Sequence, residues 1–166
     1  MRRTRLAAAL AGVLTLGAAA TSVATAAAKH PAAIKPTCAL ALTQQIPAGE
    51  TAINQADTSG TKVGTVTCGK LLGTGLSEMA FTIPDSGNLV GTTKQYFILG
   101  SMHGSYVLVP DQTESDSFTA SSYTGTMTIK GGTGAYQLAK GTGTLKCTSS
   151  DSVHLNCVEH LKLSRL

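Results

Sequence analysis

The chain contains no tryptophan, and four tyrosines and three phenylalanines are the whole aromatic complement of its 166 residues. Lipocalin-type barrels, built on a G-x-W strand, and avidin-type biotin barrels, walled by tryptophan, are thereby disfavoured. Charge is sparse as well, at 13% of residues. Basic residues interleaved with aromatics, the footprint of a nucleic-acid surface, are missing, so no nucleic-acid partner is expected. No C-x2-C pair occurs and the four histidines are scattered, which argues against zinc or any other metal. Nucleotide and nucleophile motifs fail in the same way. The run Gly64 to Lys70 matches GxxxxGK but continues into Leu71 instead of Ser or Thr. Gln137 stands where a dinucleotide fingerprint needs its third glycine, and no G-x-S-x-G is present. No cofactor is expected. No segment repeats apolar residues at i, i+3 and i+4, so long amphipathic helices are excluded too.

What is present begins with Arg2, Arg3 and Arg5, followed by an uncharged Ala- and Leu-rich run from Leu6 to Ala28. The run closes on Ala24-Thr25-Ala26 and Ala26-Ala27-Ala28, two small-residue cleavage options. A basic start, an apolar middle and an A-x-A end describe a secretory signal peptide over residues 1–28, and hence a secreted protein. Removing it takes away three of the thirteen Lys and Arg, leaving ten against nine acids, so charge points to no polyanionic partner. No later stretch is long and apolar enough to span a bilayer, and no membrane contact is expected after cleavage. Cys38, Cys68, Cys147 and Cys157 all follow the signal, in a compartment that oxidises thiols. Four cysteines admit three pairings. The preferred one joins Cys147 to Cys157 around the turn 148–152 and leaves Cys38–Cys68 to bracket the first hairpin.

Residues 29–36 read as a flexible leader and 37–166 as a single all-β domain. Short runs rich in Val, Ile, Thr, Tyr and Phe recur between Gly, Pro, Asp and Ser clusters. They are 37–45, 62–68, 78–83, 89–99, 102–109, 118–130, 136–147 and 153–163, about eight strands. Eight antiparallel strands either stack as a sandwich or close into a barrel, and composition does not choose between the two.

The most informative stretch is Gly131-Gly132-Thr133-Gly134-Ala135-Tyr136-Gln137-Leu138-Ala139-Lys140-Gly141. Physically, a strand runs into a glycine turn, an aromatic follows, and small residues stand where the next strand must bend. The stretch resembles the G-G-T-G-x-[YF]-x-x-A-x-G signature of the allene oxide cyclase barrel superfamily, which includes dirigent proteins and small secreted bacterial members. Three further segments, 57–64, 87–92 and 123–129, resemble parts of the same fold, so the likeness runs from about Cys38 to Leu163. It implies an eight-stranded antiparallel β-barrel around an apolar cavity, often in a homo-oligomer. In it Gly131, Gly132, Gly134, Tyr136, Ala139 and Gly141 have a structural role. No catalytic residue carries over, since dirigent pockets pair carboxylates with an arginine or tyrosine and Arg165 is the only arginine after the signal.

Three residues are singled out as ligand-binding candidates. Counting by two along the last strand, Val153, Leu155, Cys157, Glu159, Leu161 and Leu163 share one face. A carboxylate on that apolar face pays for desolvation, so Glu159 is expected as a pocket acid, or turned outward by a bulge, or paired with a partner such as Lys140 or Lys146. Tyr96 and Tyr106 each offer an apolar ring and one hydroxyl to a pocket. The expected function is binding of a small hydrophobic or phenolic ligand in the barrel. A cofactor-free cyclase or isomerase, or a dirigent-like stereochemical guide, is one alternative; a structural or surface-interaction protein with a packed barrel is the other.

Overall fold

The strands alternate side chains in and out so regularly that the sheet has one apolar face, and the chain buries that face by rolling the sheet shut. In the computed structural model, residues 33–46, 59–111, 122–149, 151 and 153–166 are described. The expected signal peptide and the first part of the leader lie outside those residues. So do 57–58, 118–121 and the polar segment 112–116.

Eight strands form one closed antiparallel barrel in sequence order: β1 (Thr37–Gln44), β2 (Ser59–Thr67), β3 (Thr74–Thr82), β4 (Leu89–Phe97), β5 (Gly100–Pro110), β6 (Ser122–Gly132), β7 (Lys140–Thr148) and β8 (His154–Arg165). The expected all-β barrel is therefore what forms, and the sandwich is not. Closure pairs β1 with β8, placing Leu40 opposite Cys157 and Leu42 opposite Leu155. No strand edge is left for another chain to extend. The leader differs from a wholly free tail. Ile34 exchanges backbone hydrogen bonds with Leu163, and the Leu161 N–H donates to the Pro36 carbonyl, because β8 runs past the start of β1 and its polar backbone needs partners.

Two short helical turns interrupt the strands. One is a single turn, α1 (Gly69–Leu72), between β2 and β3; the other is a 3-10 turn over Gly134–Tyr136. The seventh strand accordingly starts at Lys140, later than the expected 136. The glycine motif accounts for this. Gly134 has φ +58°, and a Cβ there would lie 2.3 Å from the Leu99 carbonyl oxygen. The chain thus folds tightly under the β4–β5 turn, where Ala135 N–H donates to that same oxygen. The fold brings Tyr136 edge-on to Phe97, with ring centroids 5.8 Å apart. With Leu72 and Ala139, these rings close the end of the barrel that carries the β2–β3, β4–β5 and β6–β7 turns, here the lower end. Gly141 follows at an irregularity in the β7–β8 register.

Both expected disulfides are present, Cys38–Cys68 towards the lower end and Cys147–Cys157 towards the upper. Cys147 and Cys157 are direct partners across β7 and β8. All four cysteines are buried, and the described residues contain no free thiol.

Candidate functional site

Inside the barrel, most inward positions are Leu, Val, Ile, Met, Phe or Tyr, and the exceptions define the site. On β8 the inward set is Leu155, Cys157, Glu159, Leu161 and Leu163, with Glu159 fully buried at 0% exposure. Glu159 points neither outward nor at a lysine. Its Oε2 accepts a 2.7 Å hydrogen bond from Gln95 Nε2 on β4. In a closed ring of eight, β4 and β8 are four strands apart in either direction, so this bond crosses the bore from wall to wall.

Two hydroxyls accompany the pair. Ser77 on β3 is the register partner of Gln95, and Thr93 stands two residues earlier on β4, on the same inward face. Four polar atoms here are buried without a protein hydrogen-bond partner: Glu159 Oε1, Gln95 Oε1, Ser77 Oγ and Thr93 Oγ1. Each such atom costs roughly 1–3 kcal/mol unless something bonds it. The cluster lies towards the lower end, because Gln95 comes one inward step before Phe97 and Glu159 faces Cys38 across β1 and β8. Burial drives the Glu159 carboxyl up from 4.5 to about 7, against the opposing hydrogen bond from Gln95.

A second polar group sits towards the upper end. Lys62, nearly enclosed, donates from Nζ to Gln44 Oε1 (3.0 Å) and to the Val153 carbonyl (3.2 Å), with Nζ 5.8 Å from the Phe81 ring centroid. Burial lowers its ammonium to about 8, against the opposing attraction of Asp151.

Tyr106 is inside, as expected, but its hydroxyl is already engaged, donating to the Ala80 carbonyl at 3.1 Å. Gly91 explains the reach. It stands between Phe81 and Tyr106 in the two registers, and a Cβ there would lie 1.9 Å from the Ala80 oxygen. Burial pushes the Tyr106 phenol well above its usual range. Tyr96 is placed elsewhere, a correction to its grouping with the bore residues. Thr93, Gln95 and Phe97 take the inward positions of β4, so Tyr96 faces out, beside Leu76 on β3 and with the Lys94 ammonium 4.9 Å from its ring centroid.

Sequence reasoning found Glu159 by its parity with leucines and missed Gln95, Ser77, Thr93, Lys62 and Gln44. The same count along β4, anchored on Leu89 and Phe97, would have put Thr93 and Gln95 inside and Tyr96 outside. Among the described residues no group of three or more His, Cys, Asp or Glu is placed to hold a metal ion.

No family model matches this chain, and no curated protein matches it. Among solved structures, it is similar to that of a pterocarpan synthase dirigent protein, with 14% identity, a TM-score of 0.50, and 80% of this chain and 85% of the other covered. The likeness is one of fold: the chain is a dirigent-like closed barrel.

Proposed function

We propose that the protein binds a small, largely apolar molecule carrying a hydroxyl or phenol, with the polar end of the ligand at the Gln95–Glu159 pair. The observation that carries this reading is the group of four buried, unpartnered polar atoms around that pair, set among apolar walls. A neutral carboxylic acid, an amide oxygen and two hydroxyls offer both donors and acceptors, so a phenol finds complementary partners there. An apolar pocket with a few convergent polar groups is the usual form of a small-molecule site.

Isothermal titration of the mature protein with 4-propylphenol and with propylbenzene tests the reading. Tighter binding of the phenol, lost in Glu159→Ala but not in the outward-facing control Tyr96→Ala, is the expected result. Binding of neither compound, or equal binding in wild type and Glu159→Ala, returns the barrel to a packed structural element whose polar cluster bonds water.

A second reading has its own observation. A buried carboxyl that titrates near 7 is matched to giving or taking a proton at neutral pH. On that basis a cofactor-free cyclase or isomerase of the allene oxide cyclase kind, or a dirigent-like stereochemical guide, would act by orienting a reactive substrate in the bore; the fold likeness to a pterocarpan synthase dirigent protein supports the guide. We further infer that the chain is secreted after cleavage following Ala28. The two disulfides accord with an oxidising compartment, and the intact mass of protein recovered from the medium tests the site of cleavage.

A further inference from the structure

The outer wall of a barrel normally shows β-branched residues partly covered by their neighbours, and here Val90, Val107, Val109 and Val158 are of that kind, 38–43% exposed. Five larger exposures stand apart from them: Ile98 at 94%, Leu99, Leu76, Leu71 and, least, Leu138 at 55%. All five belong to one end. Leu71 is in α1 at the β2–β3 turn, Leu76 is two residues into β3, Ile98 and Leu99 form the β4–β5 turn, and Leu138 lies between β6 and β7. These turns are neighbours. The Leu99 carbonyl accepts from Ala135 N–H, and Leu76 is the register partner of Tyr96, two residues before Ile98.

The charged side chains at this end are of one sign. Lys70 adjoins Leu71, Lys140 is two residues past Leu138 and pairs in register with Arg165, and Lys35 and Lys162 lie where the leader meets β8. No Asp or Glu occurs in 33–38, 67–76, 95–102, 131–141 or 161–166, the segments that make up this end. The described acids are elsewhere. Asp85, Asp111 and Asp151 lie in the upper connections, Glu78 lies in mid β3, and Glu159 is inside the barrel.

We propose that the lower end of the barrel is a docking surface for an anionic lipid bilayer, with Ile98, Leu99, Leu71 and Leu138 entering the headgroup–acyl boundary and Lys70, Lys140 and Arg165 meeting lipid phosphates. Apolar turn tips ringed by cations are what peripheral attachment requires: burial of apolar side chains for grip, and attraction to anionic headgroups for orientation. A patch that was only apolar would fit a second copy of the chain equally well. The cations beside the patch, with no acidic side chain among them, disfavour that, because two such ends face to face would repel. The proposal reverses the sequence expectation of no membrane contact. It does not depend on what occupies the bore, since these side chains point away from it.

Flotation of the mature protein with vesicles of mixed phosphatidylglycerol and phosphatidylcholine, against pure phosphatidylcholine, provides the test. Binding is expected to the mixed vesicles, to fall about tenfold or more in the double variant Ile98→Ser/Leu99→Ser, and to fall similarly in Lys70→Gln/Lys140→Gln. Val107→Ser, on the side wall, is expected to bind as wild type, and circular dichroism melts confirm that each variant is folded. Absence of binding to the mixed vesicles overturns the proposal. So does binding that Ile98→Ser/Leu99→Ser leaves intact, which would make the contact purely electrostatic. Concentration-dependent dimerisation in sedimentation velocity without lipid, abolished by Ile98→Ser/Leu99→Ser, also overturns it and assigns the end to a second copy.

Discussion

Glu159 keeps its proton to a higher pH in the folded barrel than in the unfolded chain, since its carboxyl is raised from 4.5 to about 7. Between those values the native state holds a proton that the unfolded state has released. Stability attributable to this group therefore falls as pH rises from about 4.5 to about 7, and is level above. Glu159→Gln keeps the shape and the hydrogen bond to Gln95 but has no charge to bury. Urea unfolding should show this variant close to wild type at about pH 4 and more stable at about pH 8, by up to roughly 3 kcal/mol. Lys62 contributes with the opposite slope in a different window. Its ammonium is lowered from 10.5 to about 8, so its share of stability increases as pH rises from about 8 towards 10.5. Gly91 is equally constrained. A methyl group there would meet the Ala80 oxygen that also accepts the Tyr106 hydroxyl, so Gly91→Ala should cost more than about 2 kcal/mol in thermal or urea melts, through overpacking and a displaced hydrogen bond.

At the scale of elements, the two disulfides close chain segments of unequal length, with sequence separations of 30 for Cys38–Cys68 and 10 for Cys147–Cys157. Loop-closure entropy in the unfolded chain then assigns about 3.6 kcal/mol to the first and about 2.7 kcal/mol to the second. Replacing Cys38 and Cys68 by alanine should lower the urea midpoint more than replacing Cys147 and Cys157, with a difference of about 1 kcal/mol. These pairings were legible because each hairpin brought its own two cysteines together. The strands were legible from period two, and β8 most fully, because its leucines fix the parity on both sides of Glu159. The lower-end plug was not. Tyr136 follows a glycine run that reads equally well as the start of a strand, and only contact with Phe97, nearly forty residues earlier in sequence, makes it a turn. Lys62 was hidden for another reason. Its inward neighbour Gly64 has no side chain, leaving Val66 as the sole bulky marker of the buried face of β2.

At the scale of the whole molecule, closing the barrel requires β1 to find β8, more than a hundred residues away along the chain. All-β barrels, whose contacts are mostly non-local, fold in milliseconds to seconds. Stopped-flow refolding with the disulfides intact should accordingly be no faster than about a millisecond. Hydrogen exchange should show β1 and β8 as well protected as β4 and β5, because a closed sheet has no outermost strand to fray. The Gln95–Glu159 bond acts at this scale too. A ring of strands resists stretching along its circumference, yet it can flatten into an ellipse with little strain on any interstrand bond. A tie between opposite walls sets one diameter directly. Together with the packed core, the Gln95–Glu159 bond thus helps to hold one diameter of this barrel, and a proton gained or lost at Glu159 changes the tension in that strut.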